Sequence, residues 1–292
     1  MPLEGGCRAC CRCRLASSFE VTPGTSTSWW AAEIHEVVVV SGEDAASYLE
    51  GQLAQSIVEL EIGRGSWSLL LEPDGTLGHL LGVARSDAQQ FVLHPGEGRA
   101  SEVVARLRRF VLRAKVAIEV VPMAIVEMGD DRPEVAGPRL PSVLGATGAR
   151  VIEASPLDPL EQISMGEVTS RRLEQGLPAE AEGIAGVVPL ALGEATVAVA
   201  ASFTKGCYTG QELVARTTSR NAPPPVSIVA FRARHQVAPG ELIACAGEEV
   251  GHVIESAWWN DAAVGFVAVA RRALKADAGE ITSDGGPLDL TR

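Results

Sequence analysis

The residues best suited to chemistry lie in one stretch, Lys205-Gly206-Cys207-Tyr208-Thr209-Gly210-Gln211-Glu212, which continues through Leu213-Val214-Ala215 to Arg216. Thr209 and Glu212 have the spacing of a capping box, in which the threonine hydroxyl takes the Glu212 amide and the glutamate reaches back to the Thr209 amide. A short helix is therefore expected from Gly210. Cys207 sits two residues ahead of that cap. Unsatisfied amides and the helix dipole favour a negative sulfur there, and Lys205 would add a positive charge. Gly206 and Gly210 allow close backbone approach or positive φ around the thiol. The preceding residues, Ala195 to Ser202, alternate weakly and read as a strand, so the motif would be a strand–turn–helix presenting one cysteine. Two roles stay open for Cys207 on these residues alone. It is a functional thiolate, or a buried structural cysteine of the kind common in protein cores.

The other cysteines offer less. Cys7, Cys10, Cys11 and Cys13 crowd into one run, and Cys245 stands alone. Four thiols so close together, interleaved with arginines, lack the paired spacing of zinc sites. No metal is expected there. Residues 15–28 are rich in Ser, Thr, Pro and Gly, so residues 1–28 read as a disordered leader. The whole chain has 292 residues, 46% of them hydrophobic and 21% charged, with a net charge of −12. That balance is ordinary for a globular protein and is a poor match to a broad polyanion partner, so direct nucleic-acid binding is not expected. No apolar run is long enough to span a bilayer, and the expectation is a cytoplasmic protein with no membrane partner.

Around the motif the patterning predicts mixed structure. Strands are expected at Glu33–Val40, Trp67–Leu71, Leu77–Ala84, Phe91–Leu93 and Val116–Val121. Ser41 would cap a helix running to about Leu53, and Pro73-Asp74-Gly75 would turn a hairpin. Residues 99–115 read as an amphipathic helix, with Arg106, Arg108, Arg109, Arg113 and Lys115 either simply solvated or rimming a site for an anionic ligand tail. Residues 129–150 read as loop and Val168–Gln175 as helix, ended by Gly176 and Pro178. Pro223-Pro224-Pro225 reads as a linker. Short strands at Val226–Arg232, Glu241–Ala246, Val250–Ser256 and Ala263–Val269 then suggest a small β-barrel or sandwich. The fold class is α+β with mostly antiparallel sheets. The divisions are the leader, a two-lobed region over 29–222, and a barrel domain over 226–292.

The segment Lys205 to Glu212, with Arg216 four residues on, resembles the signature of the YgfZ family, bacterial proteins similar to the mitochondrial Iba-type iron–sulfur assembly factor. Val40-Ser41-Gly42-Glu43-Asp44-Ala45, Ser68 to Leu71 with Pro73 and Gly75, Phe110 to Val116, and Arg172, Gly176 and Pro178 resemble that family too. The resemblance implies a fold like the glycine cleavage T-protein, three lobes of antiparallel sheets and helices around a central hole, with the C-terminal barrel as one of them. It implies tetrahydrofolate or a one-carbon derivative in that hole, and a role in assembly or repair of iron–sulfur clusters in certain enzymes, some of them tRNA-modifying. The implied partners are a reduced folate and iron–sulfur enzymes or assembly factors. Cys207 would be the catalytic thiol, and Lys205, Gly206, Tyr208, Gly210, Gln211, Glu212 and Arg216 would serve the cofactor.

The chain departs from T-proteins in one place that matters for mechanism. Where their returning strand carries an aspartate near the folate's reactive nitrogen, this chain reads Gly78-His79-Leu80-Leu81. A lone histidine such as His79 is more often structural than catalytic. Without the carboxylate, aminomethyl transfer lacks its evident proton-handling group. The residues after the motif, Arg220-Asn221-Ala222, and those after Pro189 also differ from the family pattern. The leading reading is a folate-binding accessory protein in cluster assembly. The alternative is a folate-dependent aminomethyltransferase.

Overall fold

The structure is a computed structural model of the chain, and the residues it describes are 29–129, 135, 137–145, 148–152, 160–178, 184–220, 223–275 and 279–291. The cysteine-rich leader lies outside the described residues.

Strand β1 (Trp29–Ser41) carries the run of four valines and is the centre of the first sheet. Its neighbours are β4 (Gln90–His94) on one side and β5 (Ala117–Gly129) on the other, both antiparallel. The sheet continues from β4 to β3 (Leu77–Asp87) and β2 (Gly65–Leu71), and from β5 to β7 (Gly148–Ile152) and β6 (Arg139–Leu140), with β8 (Glu161–Gln162) paired to the start of β1. The valine run shows no apolar–polar alternation because both faces of β1 are covered. Val38 and Val40 pack with α1 (Ala45–Gln52) and α2 (Ala100–Arg108), while Val37 and Val39 face Val92, Ile125 and Ile152 across the curled sheet. The curl brings the two edges together, and Arg139 donates its amide to Gly63 O at 3.1 Å. Two of the strands, β6 and β7, fall in the stretch expected to be loop.

The helix starts also differ from expectation. Ser41 ends β1, and Asp44 occupies the cap position of α1 without a side-chain cap bond. Its carboxylate instead takes the Lys115 amide at 2.7 Å. Helix α2 stops at Arg108, well before residue 115. The amides of Phe110 and Val111 turn back to Leu107 O and Arg108 O, so the last turn tightens and the chain is redirected into β5. Val111, Ala114 and Val116 still pack on the same core, which is why the helical period persists in the sequence beyond the helix.

The chain then crosses to α3 (Met165–Glu174), whose cap Ser164 accepts the Glu167 amide. A 3₁₀ turn at Pro189–Leu192 leads to Gly193, with φ of +90°, and into α4 (Glu194–Ala200). The expected strand at Ala195–Ser202 is thus a helix. Val197, Ala200 and Ala201 are the buried residues, at helical spacing, and alanine favours that state. Helix α5 (Gln211–Arg220) and the prolines lead into a second sheet of β9 (Val226–Ala233), β10 (Leu242–Cys245), β11 (Glu248–Trp259), β12 (Ala262–Ala270) and β13 (Ile281–Ser283). The last segment closes it. Its first part, β14 (Gly286–Pro287), pairs with β13, and its second part, β15 (Asp289–Thr291), pairs with β9 at the other edge. The sheet is nearly closed into a barrel, which removes most of its open edge.

Candidate functional site

The cysteine motif is an irregular turn between α4 and α5, and its neighbours hold it in place from two sides. The Lys205 side chain is buried, and its ammonium donates to three backbone carbonyls at the end of α1: Glu50 O at 2.7 Å, Leu53 O at 2.9 Å and Gln55 O at 2.8 Å. The Glu50 carboxylate lies 3.3 Å from the same nitrogen. A lysine has three N–H donors, and all three are used here, on the negative end of a helix dipole. Burial pulls its pKa down, and Glu50 acts against that. The hydrogen bonds of the ammonium thus go to α1, and the lysine secures the end of that helix.

The capping box is also resolved differently. The Thr209 amide and hydroxyl both donate to Gly51 O, at 3.0 and 3.4 Å, and the Glu212 carboxylate pairs with Arg216 one turn on. Tyr208 is buried in the core that joins the first sheet to the barrel, its ring 5.3 Å from the Lys205 nitrogen, and burial raises the pKa of its hydroxyl. Gly210 adopts φ of +80° against the tip of the β2–β3 hairpin. A Cβ there would meet Glu72 O and the Leu71 side chain at 2.8 Å. Gly206 and Cys207 are exposed and Gln211 is half-buried. The fold therefore brings the motif residues together as a latch on α1 and the hairpin, with Cys207 presented to solvent.

A large cavity among the described residues, about 1020 Å³, lies elsewhere, where the first sheet, α3, α4 and the barrel meet. Trp67 and Leu80 line it from β2 and β3, Leu173 to Pro178 from the end of α3, and β9 and β12 from the barrel. None of the residues 205–212, nor Arg216, is on its wall. Leu80 occupies the cavity side of β3, and His79 points to the other face. The wall is mostly apolar. Among the described residues its ionisable side chains are Glu174 and Arg232, which pair with each other at 2.7 Å. Ser142, also on the wall, donates to the fully buried Glu127 at 2.9 Å, and Glu127 is held by Arg150 and by the Val143 amide. Burial pushes the Glu127 carboxyl up, against Arg150.

A second cavity of about 620 Å³ lies behind β3 and is lined by His79, Glu72, Arg99, Glu102, Arg106 and Arg109, among others. Arg106 is buried. It donates to Leu71 O at 2.5 Å, lies 3.4 Å from the Glu72 carboxylate and stacks on Phe110. Burial lowers the His79 pKa to about 4, so the imidazole is neutral.

Sequence reading missed Ser142, Glu174 and Arg232, because their neighbours on the cavity wall are distant in the chain. Arg172, which the family pattern did single out, is buried and bridges α3 to the barrel by donating to Leu177 O at 3.0 Å and pairing with Glu255. Asn221 and Ala222 lie outside the described residues.

The fold, a curled antiparallel sheet joined through helices to a C-terminal barrel, is like that of the glycine cleavage T-protein. The structure superposes on the glycine cleavage system aminomethyltransferase T of Bartonella henselae with a TM-score of 0.69, at 17% identity, over 90% of this chain and 84% of that one. The sequence relatives are more particular. The chain is 26% identical to an iron–sulfur cluster assembly factor IBA57 homolog, mitochondrial, of Pyricularia oryzae over 65% of its length, and 24% identical to the homolog of the same name in Neurospora crassa over 74%. It spans 54% and 57% of those two proteins. It is also 25% identical to an uncharacterized protein of Haemophilus influenzae, covering 64% of this chain and 68% of that one. No family model matches the chain. The fold is that of the T-protein and the named relatives are iron–sulfur assembly factors, in agreement with the YgfZ resemblance of the cysteine motif.

Proposed function

We propose that this chain binds a reduced folate in the 1020 Å³ cavity and acts as an accessory protein in iron–sulfur cluster assembly or repair, with Cys207 as its functional thiol. The observation that carries the reading is the cavity itself. It has the size and the mostly apolar wall of a small-molecule site, and it lies at the junction of sheet, connecting helices and barrel in a T-protein fold. The tricyclic bulk of a pterin–aminobenzoyl ligand suits Trp67, Leu80 and Phe266, with Ser142 as a hydroxyl fixed by Glu127. The cluster-assembly role rests on the two fungal relatives and is extended to this chain as part of the proposal.

Leu80 is the residue that the cavity receives from β3, and a leucine moves no proton. This favours ligand binding over aminomethyl transfer. The exposure of Cys207 supports a thiol that meets its partner, an iron–sulfur enzyme or assembly factor, from outside. A cytoplasmic setting goes with this proposal. Calorimetry and thermal unfolding with tetrahydrofolate under anaerobic conditions test it. Saturating ligand, at 100 times its dissociation constant, should stabilise the fold by about 2.7 kcal/mol. An unchanged melting temperature together with no heat of binding at millimolar tetrahydrofolate would remove the folate from the account.

A further inference from the structure

The second cavity, about 620 Å³ behind β3, has no part in folate binding as proposed. It runs along one face of α2. Arg99, Glu102, Arg106 and Arg109 line it at helical spacing, and His79 lines it from β3. The Arg106 side chain is only 4% exposed, and its Nη2 is used on Leu71 O. Among the described residues, its Nε and Nη1 and the Nδ1 of His79 are buried with no hydrogen-bond partner. Glu72 stands 3.4 Å from Nε as an ion pair. A buried donor without an acceptor is costly, above all on a charged group, and an acceptor brought into the cavity would relieve that cost. The carboxylates of the wall face outward: Glu102 is 70% exposed and Glu72 37%. Water screens them more than it screens Arg106. Arg99 and Arg109 form no ion pair among the described residues. Burial is the chief cause of the lowered His79 pKa, and Arg99 comes next, ahead of Glu102, so the field at the cavity floor is positive.

We propose that this cavity is a second ligand site, which holds the phosphate group of a small phosphate monoester among Arg99, Arg106 and Arg109. A phosphate monoester suits the wall better than a carboxylate. It brings about two negative charges at neutral pH and three acceptor oxygens, to be shared among three guanidiniums. The planar donors of arginine match those oxygens and stay charged at every accessible pH. The neutral ring of His79 offers a polar atom and brings no charge of its own. The volume is that of a small-molecule site and exceeds a bare phosphate, so the esterified part of the ligand has room beside Ala185 and Gly186. The site lies on the other face of β3 from the 1020 Å³ cavity, and it stands whether or not a folate binds there.

The probe is glycerol 3-phosphate, titrated by calorimetry into the full chain in a phosphate-free buffer, with succinate at the same ionic strength as the control. Glycerol 3-phosphate should bind with a dissociation constant of about 1 mM or lower, and succinate about tenfold more weakly or worse. Arg99 is half-buried and Arg109 exposed, so Arg99→Gln and Arg109→Gln should melt like wild type without ligand. Each should weaken glycerol 3-phosphate by about tenfold, the loss expected for one charge-assisted contact. Arg232→Gln, on the wall of the other cavity, should bind it as wild type does. No heat at about 10 mM glycerol 3-phosphate, or equal binding of succinate, overturns the proposal. So does weakening by Arg232→Gln in place of Arg99→Gln and Arg109→Gln.

Discussion

Replacing Lys205 by methionine isolates the part of the motif that holds the fold together. The variant keeps the length and apolar stem of the side chain and removes the ammonium. Three carbonyls at the end of α1, those of Glu50, Leu53 and Gln55, then lose the donor that serves them. Glu50 loses its cation but keeps the amides of Ile57 and Val58, at 2.6 and 3.1 Å. Hydrogen bonds to a charged donor contribute about 1.5–3 kcal/mol each, but three on one nitrogen do not add. Removing one member of a buried ion pair costs about 3–5 kcal/mol; here the lysine side chain is 2% exposed and its Glu50 partner 20%, which places the cost toward the lower part of that range. The expected loss is therefore about 3–4 kcal/mol, a large share of the roughly 5–15 kcal/mol by which domains are stable. Urea unfolding at neutral pH, followed by tryptophan fluorescence, measures it as a lower midpoint at constant m. A loss under about 1 kcal/mol would refute the latch and return Lys205 to the role of a neighbour of the thiol.

Four further outcomes are expected. Cys207 should be alkylated rapidly in the native protein while Cys245 waits for unfolding, as read site by site by mass spectrometry, because one is exposed and the other buried. Cys207→Ser should also fail to complement a strain lacking its YgfZ-type protein, and full complementation would make the cysteine dispensable. Gly210→Ala should cost roughly 2 kcal/mol or more, since φ of +80° strains alanine and its Cβ meets Glu72 O at 2.8 Å; a melting curve like wild type would contradict this. His79 has a folded pKa near 4 against 6.5 unfolded, so the unfolded state binds the proton first as pH falls. Stability from this group is complete above pH 6.5 and is lost between 6.5 and about 4, by about 3 kcal/mol in all. His79→Gln should remove that part of the acid sensitivity, and an unchanged pH profile would show that another group is responsible.

Local chemistry by itself determined a good deal here. The valine run made β1 a buried strand, Pro73-Asp74-Gly75 made a hairpin tip, and the glycine-separated strands after Pro225 made a barrel. Each depends on near neighbours in the chain, where backbone preference and side-chain period act directly. The motif from Lys205 to Arg216 also pointed to the T-protein fold, through its resemblance to a family. Spatial partnership was decided only in three dimensions. Lys205 and Thr209 had local roles available, beside a thiol and in a capping box, and both instead bond to α1, some 150 residues earlier in the chain. The weak alternation at Ala195–Ser202 gave way to a helix because its buried face packs on the hairpin and barrel core. Glu174, Arg232 and Ser142 became cavity residues because α3, β9 and the segment before β7 converge there. A buried polar group or charge takes whichever partner the packed backbone brings within reach, and that pairing is not written in the residues on either side of it.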